Sequence, residues 1–348
     1  MRDRGGASHP LVELTMARFR EFLREPEAVF WVFAFPVIMT CALGIAFRSR
    51  GAEPVIVGVV EQAGAPALRQ ALEASGRFTV RRIEPAEIER TVRDGRAPVV
   101  VVPGTPPEYH FDEARAESQV ARLAVDQALQ RAAGREDVFA ATERPIDAIG
   151  SRYIDWLVPG LLGMNIMSTG LWGVGFSIVQ ARTRKLLKRL VATPMSRAEY
   201  LASHVLSRLL FLTLETVVIV GFAWLVFDVR IRSGVMALAI LAVLGALSFG
   251  GLGLLVASRA RTIEAVSGLM NLVMMPMWVL SGVFFASSNF PEPMQPFIQA
   301  LPLTALNDAM RGVMNEGLSL AAVGGEVGVL AAWGLVSFAA ALRIFRWQ

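Results

Sequence analysis

The chain has 348 residues, 54% of them hydrophobic and 18% charged, with a formal net charge of +4 and a mean hydropathy of +0.48. Globular proteins carry roughly 45–50% apolar and ~25% charged residues, so the balance is that of a polytopic membrane protein and excludes disorder and collagen-like repeats. One cysteine, Cys41, excludes an intramolecular disulfide framework and cysteine-based metal clusters.

The first 27 residues hold Val12, Met16, Phe19 and Leu23 at helical spacing, with Glu13, Arg20, Glu21 and Arg24 on the opposite face and Pro26 as terminator. This predicts an amphipathic helix lying along the cytoplasmic leaflet, over 1–27. The apolar run that follows is longer than a secretory h-region and has no small-residue cleavage pattern behind it.

Six stretches reach the roughly 20 apolar residues that a bilayer crossing needs. They are predicted at 28–47, 157–180, 205–227, 235–257, 266–286 and 318–342, and four contain no Asp, Glu, Lys or Arg. With the N-terminus inside, the short cytoplasmic segments carry fifteen Lys and Arg, against Arg230, Arg232 and Arg311 outside. Such a bias places both termini in the cytoplasm. It also accounts for the basic charge without a nucleic-acid partner.

The insert 48–156 has another texture. Strands are expected at 55–60, around Phe78–Ile83, at 98–102 and at 109–112. Helices are expected after Pro66, over 85–94 and over 114–139, the last with Val120, Leu123, Ala124 and Ala128 on its apolar side. Alternating strands and helices predict a small extracytoplasmic α/β domain with a mixed sheet. Its 15 Arg stand against 17 Asp and Glu, so nothing marks it as a polyanion binder.

No catalytic constellation stands out. His9, His110 and His204 lack metal-ligand spacing, and the only lysines, Lys185 and Lys188, do not follow glycine, so these 348 residues carry no phosphate-binding P-loop. Neither metal nor cofactor is expected on this chain. Gly250, Gly251 and Gly253 in span 4 fit close helix packing.

The most informative stretch lies between spans 2 and 3. Leu186, Leu187 and Leu190 share one helical face, while Arg184, Lys185, Lys188 and Arg189 supply charge, Pro194 ends the helix and Ser196 is placed to cap the next. Spacing alone leaves two readings, a lipid anchor worth roughly 1 kcal/mol per basic residue or a lever docked on a cytosolic partner.

The amphipathic start, the insert after span 1, the run from Lys185 to Tyr200 and the segment Leu301-Pro302-Leu303-Thr304-Ala305-Leu306-Asn307-Asp308-Ala309-Met310-Arg311-Gly312 together resemble the permease subunits of type 2 ABC transporters. The similarity covers essentially the whole chain, in the order of its features, and is nearest to the drug-efflux-like branch with a large external insert. It implies that 184–193 is a coupling helix on a separate cytosolic ATPase subunit, which would bind ATP and Mg. It further implies a second permease copy or close homologue, export across the bacterial cytoplasmic membrane and a re-entrant outer gate over 290–315. The insert is left with three roles: binding cargo, docking another envelope protein or propping the dimer.

Within the spans, Glu215 and Glu326 are costly in lipid and so should face the bundle interior or water. Arg208, two turns before Glu215 and ~10 Å away along the axis, is expected to be too far for a direct pair and to snorkel. Asn165, Met167 and Ser168 in span 2, with Asn271 and Met274 in span 5, complete a candidate substrate path, core filling being the plainer reading of the methionines. Pro36 and Pro276 are expected to interrupt spans 1 and 5. An ion-coupled secondary transporter using Glu215 and Glu326 is the alternative, but the halves show no internal repeat.

Overall fold

The computed structural model describes residues 15–16, 19–20, 22–47, 54–136, 139, 142, 150, 152–183, 197–260 and 262–344, with backbone alone at 181 and 197–205. Its contacts divide the chain into two compact units, residues 50–146 and residues 1–49 with 147–348.

The smaller unit is a four-stranded sheet in the order β2-β1-β3-β4, with β1 at Val55–Val60, β2 at Phe78–Ile83, β3 at Val99–Val102 and β4 at Glu108–Phe111. β1 runs parallel to β2 and β3, and β4 closes the edge antiparallel to β3. Crossovers contain α1 (Ala65–Ala74) and α2 (Ile88–Arg93), and α3 (Ala116–Ala132) follows β4. One sheet face buries Val57, Val59, Val99 and Val101 with Leu72 of α1 and Ala121 and Val125 of α3. The other buries Val60, Ile83 and Val100 with Ile88 and Val92 of α2. A central strand covered on both faces reads as an unbroken apolar run rather than an alternation, which is why Val55–Val60 stood out. Gly58 is the exception in that run, because a Cβ there would stand 2.8 Å from Val100 Cγ2 and 2.9 Å from Ile83 Cγ1.

Two expectations need correction here. The long helix stops at Ala132, before Gly134 at φ +96°, a left-handed position that favours glycine. Its buried stripe is Ser118, Ala121 and Val125, whereas Val120 and Leu123 are exposed. Tyr109 Oη donates to Asp126 Oδ1 of α3 at 3.1 Å. Burial first, and then this hydrogen bond, push the phenol up to about 12.

The larger unit contains six helices long and apolar enough to cross a membrane among the described residues: span 1 (Pro26–Ala46), span 2 (Tyr153–Gln180), span 3 (Leu206–Phe227), span 4 (Val235–Arg259), span 5 (Ile263–Leu280) and span 6 (Gly324–Ile344). The predicted ends of spans 5 and 6 are revised. Span 5 begins where Thr262 Oγ1 accepts from the Ala265 amide and stops at Ser281, before Gly282 at φ +70°. Span 6 starts at Gly324 rather than 318. The proline-rich stretch between them forms 3-10 turns at Ser287–Asn289 and Glu292–Met294, then α4 (Gln295–Gln299) and α5 (Pro302–Arg311), continued by a π-helical turn over Gly312–Glu316.

Small residues set the packing. A Cβ on Gly170 of span 2 would stand 2.7 Å from Phe249 Cβ, and one on Gly253 of span 4 would stand 2.8 Å from the Leu171 carbonyl oxygen. Gly251 faces Ser337 Oγ of span 6 at 2.6 Å in the same sense. The glycines of span 4 therefore let backbones approach, the close packing expected of them. The resulting core includes Leu161, Leu162, Ile166 and Met167 of span 2, Leu241 and Phe249 of span 4, Met270 of span 5 and Leu306 and Met310 of α5. Outward faces present Trp31, Leu225, Leu272 and Leu335, which suits helices solvated by lipid. In the leading segment, Phe19 and Phe22 reach Phe211 of span 3 at 5.4 and 4.4 Å between ring centroids, while Met16 and Leu23 stay exposed. Phe22 was not part of the expected stripe.

Candidate functional site

Pro36, Pro159 and Pro276 lie inside spans 1, 2 and 5, the last within a continuous helix, and the gaps that the first two open in the helical hydrogen-bond ladder are filled from a neighbouring element. Pro36 has no N–H to give the carbonyl four residues back, and that Val32 oxygen instead accepts from Asn165 Nδ2 at 3.2 Å. Phe30–Ala34 winds as a π-helical turn just before it. Pro159, inside span 2, likewise frees the Asp155 oxygen, which accepts from Asn315 Nδ2 at 2.8 Å. A polar cluster surrounds each repair.

The first cluster joins spans 1, 2 and 3. Glu215 is 1% exposed and its Oε2 accepts from Thr169 Oγ1 at 3.2 Å and from Asn165 Nδ2 at 3.5 Å. Arg208 Nη1 lies 3.6 Å from Glu215 Oε1, and its Nη2 donates to Thr169 Oγ1. The expectation that Arg208 is too distant to pair and snorkels away is therefore corrected. Its side chain covers the two turns that axial rise alone left open, and Thr169 bridges the remainder. A buried carboxylate in apolar surroundings demands such a partner, since removing one member of a buried pair costs about 3–5 kcal/mol.

Other members of the expected path are placed elsewhere. Met167 and Met274 are buried among apolar neighbours, and Ser168 Oγ turns back to the Met164 carbonyl at 2.9 Å. Asn271 lies on the exposed side of span 5. Glu326 stands in the first turn of span 6, half-buried, so it does not join Glu215. Its charge bears on Asp308 instead: burial raises the Asp308 carboxyl, Arg311 opposes this, and Glu326 adds to it. Residues Arg184, Lys185, Leu186, Leu187, Lys188, Arg189, Leu190, Pro194 and Ser196 lie outside the described residues.

The second cluster was not foreseen as a site. Arg311, read in the sequence as an external charge and as part of the segment Leu301–Gly312 that carries the family resemblance, is 5% exposed at the end of α5. Its guanidinium stacks over the Trp156 ring at 3.4 Å from the centroid, donates from Nε to the Trp156 carbonyl at 3.4 Å, donates from Nη2 to the Gly282 carbonyl and pairs from Nη1 with Asp308 Oδ1 at 3.2 Å. One residue thus links α5, the first turn of span 2 and the turn after span 5. Next to it, Arg152 makes a forked pair with Asp155 at 2.9 and 2.7 Å and reaches the Phe227 carbonyl at 3.0 Å. The sequence signals were the resemblance carried by its segment and the position of Arg311 at i+7 from Thr304 and i+4 from Asn307.

Six helices long and apolar enough to cross a membrane, with α5 buried against them and buried ion pairs at these two clusters, are the architecture of a multi-pass membrane protein. Residues 27–343 match the family model described as ABC-2 family transporter protein. The chain belongs to that family. It is 27% identical over 183 residues to the linearmycin resistance permease protein LnrN of Bacillus subtilis, a match covering 51% of this chain and 46% of that protein. Nodulation protein J of Bradyrhizobium diazoefficiens is 27% identical over 57% of this chain and 75% of its own length. The inner membrane transport permease YadH of Escherichia coli is 27% identical over 44% and 59% respectively. The chain thus spans less than half the length of the linearmycin relative.

Proposed function

We propose that this chain is the permease of an ATP-driven exporter, working as a dimer and receiving mechanical work from separate ATPase subunits. The observation that carries it is the ABC-2 family match across nearly the whole chain, in 348 residues that contain no P-loop. ABC ATPase partners are implied for the family in general. The basic helix over 184–193 would seat each ATPase, with Leu186, Leu187 and Leu190 in its groove and Pro194 fixing the exit. ATP-driven approach of the two ATPases then draws these helices together, and the spans answer by alternating access. Both termini lie in the cytoplasm of a bacterial cell in this reading, and the unit 50–146 lies outside. The cargo in this reading is a hydrophobic or amphiphilic molecule (a drug, a lipid or a lipid-linked glycan), and one relative is a linearmycin resistance permease. Replacing Leu186, Leu187 and Leu190 with Asp should abolish copurification of the ATPase, and undiminished copurification refutes the docking role.

Ion coupling through Glu215 would need a carboxylate free to exchange protons, whereas this one sits against Arg208 and Thr169. Transport that persists without ATP and collapses with the proton gradient would nevertheless restore that reading.

A further inference from the structure

Helix α5 carries an unusual face for a buried helix. Thr304, Asn307 and Arg311 recur at i, i+3 and i+7, so they share one side, and each is 5% exposed or less. That side rests on a groove floored by glycine. A Cβ on Gly160 would stand 2.7 Å from the Val283 carbonyl oxygen and 3.2 Å from Arg311 Nη2, and one on Gly163 would collide with Asn307 Oδ1. Asn307 Nδ2 donates across the seam to the Ser281 carbonyl at 2.9 Å.

The seam is incompletely satisfied. Thr304 Oγ1, Asn307 Oδ1 and Ser281 Oγ are buried without a hydrogen-bond partner. Buried polar atoms left unpaired oppose the closed arrangement, and water would give each of them a partner. The closed arrangement must therefore be held by a few strong contacts rather than by the seam as a whole. Arg311 supplies them, because its planar fork donates to carbonyls of two elements while stacking on Trp156 and pairing with Asp308.

We propose that Arg311 is a positioning residue: it holds α5 shut against the first turn of span 2 and the turn after span 5, and the Thr304–Asn307–Ser281 seam takes up water when that hold is released. In the exporter reading, on which its physiological meaning rests, the seam is the outer gate. Gly150, just before span 2, lies against Asn315 within the same unit, where a Cβ would stand 3.1 Å from Asn315 Cβ.

The test uses the full chain in permeabilised membranes, with Cys41→Ser as background and a water-soluble maleimide as probe. Ser281→Cys reports the seam and Met167→Cys reports the unrelated core. Arg311→Gln should speed labelling of Ser281→Cys by roughly tenfold or more, the scale of a lost charged hydrogen bond, and leave Met167→Cys protected. Arg311→Lys should fall between, since an ammonium keeps the charge but not the fork. Trp156→Leu and Gly160→Ala should act like Arg311→Gln, and they carry the comparison if that variant does not fold. Unchanged labelling at Ser281→Cys overturns the proposal. Equal acceleration at both cysteines overturns it too, since the arginine would then merely support the fold. Labelling needs no ATPase, so failure of the exporter reading would appear separately, as normal seam opening without ATP-dependent transport.

Discussion

The two polar clusters are built on one plan and differ in which partner is hidden. At Glu215 the acid is sealed, with side chain 1% exposed, while Arg208 is 21% exposed. At Arg311 the base is sealed, at 6%, and Asp308 lies at the rim at 43%. Both clusters stand beside a proline whose orphaned carbonyl is capped by an asparagine from another element. The contrast teaches that the sealed member sets the energetic stake. A charge without access to water depends on its partner, whereas a rim charge can always turn outward.

The sharpest way to break that comparison is to remove one member of the Glu215 pair at a time. Arg208→Leu would strand the sealed carboxylate and should cost about 3–5 kcal/mol in denaturation of the detergent-solubilised protein. Glu215→Leu leaves Arg208, the more exposed member, which can turn outward, and should cost less. Equal losses for the two variants would show that which member is sealed does not set the cost. Deleting the proline caps comes next: Asn165→Ala should cost about 1–3 kcal/mol by leaving the Val32 carbonyl unpaired, measured in the same way, with Asn315→Ala smaller because Asn315 is only partly buried. Asp308→Asn takes the carboxylate from the sealed guanidinium but leaves it the Trp156 and Gly282 carbonyls, so it should cost about 1–3 kcal/mol, and no measurable loss would show that Arg311 does not depend on its rim partner.

The smallest effect lies outside the spans. Tyr109, raised to about 12, favours its neutral form in the folded unit. The stability this contributes is complete below the ordinary phenol value near 10 and is lost as pH climbs from 10 through about 12. Phenolate absorbance, followed in the wild type and in Tyr109→Phe, should differ between the two by one late-titrating step. The half-exposed position limits the energy involved.

Much of the fold was legible because its signals are local. Apolar runs of bilayer length located all six spans, and the β-rich runs at Val55–Val60 and Val99–Val102 located the centre of the sheet. Errors fell where a boundary depends on one residue's backbone, as at Gly134 and Gly282, or where the buried face of a helix depends on what lies above it, as for Val120 and Leu123. The site was less legible. Glu215 drew notice as an ionisable group in an apolar run, but its pairing with Arg208 depends on side-chain reach and on Thr169 arriving from another span. Arg311 gave no such signal, because a basic residue in a proline-rich segment between spans reads the same whether solvated or buried.

Sequence alone determined the number of spans, the mixed sheet between the first two and the family to which the order of features belongs. These follow from apolar length, strand periodicity and the spacing of breakers, all properties of contiguous residues. Only the tertiary structure decided that Asn165 and Asn315 cap carbonyls released by Pro36 and Pro159, and that Arg311 joins three elements over Trp156. The two asparagine caps and the Arg311–Trp156 contact join residues 133 to 160 positions apart, and no local pattern specifies which distant donor will meet an orphaned acceptor.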